Sequence, residues 1–221
     1  MTGVLGGCTG THASPVPSVP RASSYATASV GARAAARHTS DARERARGTE
    51  ALGYTRGRPD APTLVVEFTD FGCHYCGDFA RDVLPTIDRE SIASGLVRWR
   101  LVPIATASTP HAREAAAATI CAGQFGKAWA MHDLLFARQR EWTHFGSPLA
   151  TFAKYARELG MDEPRALACL GAPSTRDTVE AMRDLARQLG VRIAPTFFVA
   201  GRRVEGAISL DDVRAILRGA R

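Results

Sequence analysis

The apolar residues follow two different periods along the chain, which predict strands alternating with helices. The run from Thr63 to Phe68 (TLVVEF) is rich in β-branched and aromatic residues and is bounded by Pro62 and Gly72, so it predicts a buried strand. The next segment places apolar residues on one helical face, namely Phe79, Val83, Leu84 and Ile87. A strand followed directly by a helix is therefore expected at residues 63 to 87.

A second strand and a block of helices are predicted downstream. The strand covers Leu96 to Val102 and ends before Pro103. Helical periodicity then recurs in five segments, which are 112–122, 127–139, one that begins near Ser147-Pro148 and ends at Gly160, 162–170 and 175–189. The block occupies about residues 105–190.

The C-terminal part has the pattern of a hairpin followed by a helix. Thr196 to Val199 is an apolar strand, Gly201 supplies the turn, and a return strand runs through Val204. Ser209 and Asp212 have the spacing of a capping box before the last helix. The order β-α-β, helices, β-β-α predicts an α/β domain with a helical insertion.

Residues 1–56 differ in character from the remainder, residues 57–221. They are rich in Ala, Ser, Thr, Pro and Arg, with no acidic residue before Asp41. Such a segment buries too little apolar surface to offset its ordering entropy. We expect a disordered tail or tether, followed by one domain.

Charge and hydropathy argue against a nucleic-acid-binding protein and against a transmembrane helix. The net charge of +6 is carried mostly by scattered arginines, which indicates a solvated surface with a weak bias toward acidic partners and no nucleic-acid motif. No apolar run approaches the roughly 18 residues of a transmembrane helix.

The candidate chemistry lies where the first strand meets its helix, in Cys73-His74-Tyr75-Cys76. Cys73 is expected at a helix N-terminus, where free N–H groups and the helix dipole favour a thiolate. Cys76 lies one turn later, where it can resolve a mixed disulfide formed by Cys73. His74 either strengthens the field on Cys73 or is an exposed residue without a special role.

A metal site is the alternative reading of the cysteines. Zinc requires four ligands, usually in two close pairs, whereas Cys8, Cys121 and Cys169 are isolated in the sequence. The remaining candidate ligands and aromatic residues are expected to pack in the core or at the surface: His111, His132, His144, Trp99, Trp129 and Trp142. No metal and no cofactor are predicted.

Several motifs in one order resemble the DsbA-like branch of the thioredoxin superfamily. They are EFTDFGCHYC, the Leu84-Pro85 pair, HAREAAAA, KAWAMHDLLF and APTFFVAGRRVEGA. The resemblance covers about Pro59 to Arg218. It implies a thioredoxin fold with an inserted helical domain and a redox-active disulfide between Cys73 and Cys76.

The resemblance also assigns the surroundings of the dithiol. It implies a cis peptide before Pro195, although local sequence alone favours the common trans form, and it implies that Pro195, Ala194, His74 and Tyr75 contact the substrate. Family members commonly carry Thr or Val where this chain has Ala194, and His74-Tyr75 differs from the Pro-His of the best-known oxidases. The direction of electron flow is therefore not predicted.

Glu67 corresponds to a buried acid that this superfamily often places near the second cysteine. Its neighbours Val66 and Phe68 are apolar, so a raised pKa is expected, which suits proton exchange with Cys76. The alternative is a glutamate that faces solvent from an edge strand.

A structural disulfide is predicted between Cys121 and Cys169, which both lie near ends of insertion helices. The alternative is two buried free thiols. A bridge would favour an extracytoplasmic compartment. Val4-Leu5-Gly6-Gly7-Cys8 looks like the end of a lipoprotein signal, which would make Cys8 a lipid anchor, while the alternative is a chance cysteine in a cytoplasmic tail.

The function expected from these residues is thiol:disulfide exchange on protein substrates, with a second protein that restores the redox state. The alternative is a metal-binding or chaperone-like module that uses the same fold without turnover.

Overall fold

Five strands form one mixed sheet in the computed structural model, which describes residues 52–106, 109–144 and 146–220. The strands are β1 (Tyr54–Arg56), β2 (Thr63–Thr69), β3 (Val97–Pro103), β4 (Thr196–Val199) and β5 (Arg202–Glu205). Their order in the sheet is β1-β3-β2-β4-β5, with β2 parallel to β3 and the other pairs antiparallel. The strand that precedes the dithiol is therefore central, with its carboxyl end leading into the CxxC segment.

Strand β1 was not predicted, and it precedes the expected domain start at residue 57. It pairs with β3 in the register Tyr54 to Leu101 and Arg56 to Trp99. Three residues are too few to show an alternating pattern. The disordered tail was predicted over residues 1–56, which is wrong for the part that forms β1, while residues 1–51, with the predicted anchor at Cys8, lie outside the described part.

The helix after the dithiol changes its hydrogen-bonding pattern along its length. It consists of α1 (His74–Asp78), a π-helical segment (Phe79–Val83), α2 (Leu84–Ile87) and a second π-helical segment (Asp88–Ile92). Pro85 lies in the first turn of α2, and because the π-helical segment runs directly into α2, its missing N–H leaves a gap in the helical hydrogen bonds at this junction. Apolar spacing predicted the helix but contains no signal for π turns.

In the described residues, six helices lie between β3 and β4, where the sequence predicted a helical block of five segments, because the segment predicted at 127–139 is divided into two helices. They are α3 (Ala112–Gly123), α4 (Ala128–Ala137), α5 (Gln139–Trp142), α6 (Leu149–Glu158), α7 (Glu163–Gly171) and α8 (Pro173–Gln188). A disulfide joins Cys121 of α3 to Cys169 of α7, with the two Cα atoms 5.8 Å apart. The predicted bridge is thus confirmed, and the alternative of two free thiols is excluded.

The last helix, α9 (Leu210–Arg218), begins with the predicted capping box. The Ser209 side chain accepts a hydrogen bond from the Asp212 amide, and the Asp212 carboxylate accepts one from the Ser209 amide. The hairpin between β4 and β5 turns at Gly201, whose φ of +81° is readily adopted by glycine.

The two faces of the sheet pack against different helices. Val65 and Trp99 belong to the core beside the two π-helical segments, α2 and α9, whereas Val66 and Phe68 belong to the core beside α3 and α8. Glu67 is two residues after Val65 along β2, so its side chain lies on the same face of the sheet as that of Val65. Among the described helices, none combines the length and the apolarity needed to cross a membrane.

Candidate active site

Cys73 and Cys76 occupy different environments although one helical turn separates them. Cys73 is the N-cap of α1, has extended backbone angles and is half-buried. Cys76 lies within α1 and is fully buried. Both are free thiols in the structure. Cys73 is therefore the sulfur that an incoming substrate can reach.

The environment shifts the pKa values of the two thiols in opposite directions. A hydrogen bond from the Cys76 thiol, supported by the backbone amides of Cys76 and Tyr75, lowers the pKa of Cys73 to about 6. Burial and the neighbouring Cys73 raise the pKa of Cys76 far above its ordinary value. Cys73 is the thiolate near neutral pH, and Cys76 keeps its proton until another group accepts it.

The peptide bond between Ala194 and Pro195 is cis and lies against the dithiol. The Cys73 Sγ lies 3.5 Å from the Ala194 carbonyl oxygen. Pro195 is buried, and its carbonyl accepts a hydrogen bond from the Gly206 amide at 2.8 Å. The Ala194-Pro195 segment therefore lies beside the dithiol, as the resemblance implied.

Two exposed apolar side chains lie close in sequence to the contact between Cys73 and Ala194. Tyr75 is 52% exposed and Ile193, which precedes Ala194, is 48% exposed. The His74 ring packs against the Tyr75 ring at an interplanar angle of 39°, with centroids 3.8 Å apart. His74 is not among the main groups that shift the pKa of Cys73, so its predicted contribution to the field stays unsupported.

Glu67 is fully buried on the Val65 face of β2, which excludes the solvent-facing alternative. Its Oε2 accepts a hydrogen bond from Trp99 Nε1 at 2.7 Å. Burial raises the pKa of Glu67, while His132, Trp99 and Thr69 oppose the rise. The hydroxyl of Thr69 also lowers the pKa of Cys76, so Thr69 lies beside both Glu67 and the buried thiol.

Asp70 organises the loop before the dithiol, a role that the sequence did not reveal. This fully buried carboxylate accepts hydrogen bonds from the Gly72 amide at 2.8 Å and from the Thr106 amide and hydroxyl at 2.7 and 2.6 Å. The Thr109 hydroxyl adds a bond of 2.7 Å. A Cβ on Gly72 would lie 2.7 Å from the Thr109 Cβ, so the loop requires glycine there.

Gln139 of α5 is a second residue that sequence reasoning missed. Its Nε2 donates to the Phe71 carbonyl at 2.7 Å and to the Cys73 carbonyl at 2.9 Å. The insertion thereby holds the backbone of the active-site loop. Only the three-dimensional contact reveals this role, because 66 residues separate Gln139 from Cys73.

The other candidate residues do not assemble into a metal site. The part of the chain that the structure describes contains no group of three or more His, Cys, Asp or Glu side chains able to hold a metal ion. His111 caps α3, His144 is exposed, and His132 is fully buried in α4. Trp99 and Trp142 are core residues, as expected, and Trp99 also binds Glu67.

Comparisons with known proteins agree with this arrangement. Residues 49–218 match a family model described as thioredoxin. The chain is 34% identical over 170 residues to Na(+)/H(+) antiporter NhaA 3 of Salinispora tropica, a match that covers 76% of this chain and 24% of that protein. The chain thus spans about a quarter of the length of the first curated relatives it matches.

Two further matches cover most of both partners. Disulfide bond formation protein D of Bacillus subtilis is 26% identical over 168 residues, which are 72% of each chain. The crystal structure of Wolbachia pipientis alpha-DsbA1 superposes with a TM-score of 0.69 at 19% identity and covers 78% of this chain and 95% of that one. The second likeness extends through the inserted helices.

Proposed function

The chain belongs to the thioredoxin family and has the helical insertion of its DsbA-like members, and from this premise we propose that it is a thiol:disulfide oxidoreductase of protein substrates. The observation that carries the proposal is the opposite shift of the two thiol pKa values. A half-buried Cys73 with a pKa of about 6 provides a thiolate at neutral pH, and a buried Cys76 keeps its proton. One sulfur attacks or is attacked while the other resolves.

Oxidation of a substrate would proceed in two exchanges. A substrate thiolate attacks Cys73 Sγ, the Cys73–Cys76 bond breaks, and Cys76 leaves as a thiolate that takes a proton from the Glu67 carboxyl group. A second substrate thiolate then attacks the substrate sulfur of the mixed disulfide, and Cys73 leaves as a thiolate. The substrate loses two electrons and the dithiol gains them. Reduction follows the same steps in reverse.

The substrate is proposed to bind across the exposed surface beside Cys73. The cis peptide brings the Ala194 carbonyl to 3.5 Å from Cys73 Sγ, where main-chain groups of an extended polypeptide can hydrogen-bond with it. Tyr75 and Ile193, which are close in sequence to Cys73 and Ala194, offer exposed apolar surface. We therefore assign Ala194 and Pro195 to backbone recognition, and His74 and Tyr75 to side-chain contacts.

An extracytoplasmic location and a recycling partner belong to the same proposal. The Cys121–Cys169 bridge is a structural disulfide, and such bonds persist mainly in oxidising compartments. A catalyst that accepts electrons from substrates needs a second redox protein to remove them. The lipid anchor at Cys8 stays a prediction.

The test is turnover of a protein substrate. The wild type is expected to catalyse reduction of insulin by dithiothreitol and oxidative refolding of a reduced disulfide protein, whereas a Cys73→Ser variant is expected to do neither. A Cys121→Ala/Cys169→Ala double variant that remains folded is the control and should retain activity. A wild type without turnover in either assay would favour the metal-binding or chaperone-like alternative.

A further inference from the structure

His132 is a buried titratable side chain that the proposed exchange steps do not use. It lies in α4 and is 0% exposed. Aromatic rings surround its imidazole, with centroid distances of 4.9 Å to Trp129, 5.0 Å to Phe136 and 5.9 Å to Phe71. A core position of this kind would usually hold an apolar residue, so the presence of an imidazole calls for a physical reason.

The Nδ1 atom of His132 contacts a side chain that reaches the surface. Nδ1 lies 2.8 Å from Asp133 Oδ1, and the side chain of Asp133 is 54% exposed. Arg56 of β1 binds Asp133 at 2.8 Å and Asp88 at 3.1 Å. Asp133 is therefore held in place beside the imidazole while it remains open to water.

The other nitrogen, Nε2, is buried, and His132 acts electrostatically on Glu67. Among the described residues, His132 Nε2, Glu67 Oε1 and Thr69 Oγ1 are buried and have no partner at hydrogen-bond geometry. After burial, the charge of His132 has the largest effect on the pKa of Glu67, which it lowers. Buried polar groups of this kind are normally satisfied, and one bound water bridging Nε2 and Oε1 would satisfy both atoms.

We propose that His132 is a positioning residue that passes protons between buried Glu67 and surface Asp133 while Cys76 reacts. When Cys76 becomes a nucleophile, its proton moves past Thr69 to the Glu67 carboxylate. The imidazole then takes a proton at Nε2, through the bridging water, and releases one from Nδ1 to the Asp133 carboxylate and on to solvent. The opposite sequence reprotonates Cys76. This inference rests on the proposed function and explains how a buried proton leaves.

The charged groups around His132 are consistent with this direction of transfer. Glu67 belongs to β2 and Asp133 to α4 itself. Arg56 belongs to β1 and Asp88 to the second π-helical segment. Burial by itself would raise the pKa of Asp133, but the His132 and Arg56 contacts lower it below its ordinary value. A carboxylate that remains ionised can accept a proton from Nδ1 and return it to water.

The test uses dithiobis(nitrobenzoate), a chromogenic disulfide, so that the reactions of the two cysteines appear as separate phases of one absorbance trace. Cys73 attacks first and releases one thionitrobenzoate, and Cys76 then attacks the mixed disulfide and releases the second. We expect His132→Gln and His132→Phe to leave the first phase unchanged, to slow the second phase at pH 7 by about tenfold or more, and to flatten its pH profile. Phe136→Leu contacts the same ring and removes no titratable group, so its second phase should stay within about twofold of wild type.

The two proposals fail in different ways. Wild-type rates and pH profiles in the second phase of both His132 variants would overturn the relay and leave the proposed function intact. A wild type that reacts no faster than a free thiol in the first phase would contradict the proposed function itself. If neither variant folds, nitrogen NMR of His132 in the wild type decides. The relay requires the chemical shifts of its ring nitrogens to change with pH around the midpoint of the pH profile of the second phase. Shifts that stay unchanged there would overturn it.

Discussion

At the scale of single residues, the chemistry depends on how differently the fold treats two thiols in one CxxC segment. Cys73 receives hydrogen bonds at the start of a helix, whereas Cys76 is buried within that helix. The first effect stabilises a thiolate and the second opposes one. The roles of attacking and resolving thiol therefore follow from position and not from the identity of the residues between them.

The first prediction concerns the pH dependence of Cys73. Because its folded pKa of about 6 lies below the ordinary 9.0, the ionised thiol stabilises the reduced protein fully above pH 9, and this stabilisation is lost as pH falls through about 6. The rate of iodoacetamide alkylation should rise with a midpoint near pH 6. Cys76→Ala removes the main hydrogen bond and should move the midpoint upward by about one unit or more. An unchanged midpoint in that variant would contradict the assigned cause.

The second prediction concerns Glu67, for which the sign is opposite. Because burial raises its pKa, the folded state binds this proton more tightly than the unfolded state, so the contribution to stability is present at low pH and is lost as pH rises through the folded pKa. Glu67→Gln should therefore raise the free energy of unfolding at pH 8, by on the order of 2 kcal/mol, and change it less at pH 4. Urea denaturation at both values measures this. Equal effects at the two pH values would mean that Glu67 carries no buried charge.

At the scale of elements, the insertion does more than cover the sheet. α5 supplies Gln139, whose amide binds the carbonyl groups of Phe71 and Cys73. The loop after β3 supplies Thr106 and Thr109, whose hydrogen bonds to Asp70 hold the other side of the same segment. The active-site loop is thus fixed by two segments that are distant in sequence.

The third prediction tests this support. Gln139→Ala removes the side-chain donor to the Phe71 and Cys73 carbonyl groups, of which the second still accepts from the Gly77 amide, and should destabilise the protein by about 1–2 kcal/mol. It should also accelerate amide hydrogen exchange at residues 70–76. Gln124→Ala is the matched control, because Gln124 is exposed just after α3. Equal exchange rates at residues 70–76 in both variants would show that the Gln139 contacts do not hold the loop.

The elements that could be predicted are those whose pattern is local. Apolar periodicity located β2, β3 and the inserted helices, and the spacing of Ser209 and Asp212 located the start of α9. Strand β1 escaped prediction because Tyr54, Thr55 and Arg56 form an edge strand too short to show a period. Asp70 and Gln139 escaped because their partners come from segments that only the fold brings together. The sequence therefore predicted the reactive CxxC segment, whose residues are adjacent, but not the distant residues that hold it in place.

At the scale of the whole molecule, one covalent bond ties two inserted helices together. Cys121 and Cys169 close a loop with a sequence separation of 48. The Thr175 hydroxyl at the start of α8 donates to the Cys169 carbonyl at 2.7 Å, which extends the junction to a third helix. The insertion that carries Gln139 and His132 is therefore stabilised by a bond that does not involve the dithiol.

The fourth prediction is the energetic effect of this bridge. In the chain-entropy model, a loop of this size contributes about 4 kcal/mol to the free energy of unfolding. The Cys121→Ala/Cys169→Ala variant should lose about that amount in non-reducing urea denaturation, while Cys73 keeps its alkylation midpoint. A variant as stable as the wild type would show that the bridge does not constrain the unfolded chain.

The central claim is that Cys73 exchanges disulfides with a protein substrate and Cys76 resolves the product. Its most direct test is to incubate Cys76→Ser and Cys73→Ser variants separately with a reduced or oxidised substrate protein, quench with acid, and identify cross-linked species by mass spectrometry. The account predicts a mixed disulfide between Cys73 and the substrate in the Cys76→Ser variant and almost none in the Cys73→Ser variant. Accumulation through Cys76 in the Cys73→Ser variant, or no mixed disulfide in either, would contradict it.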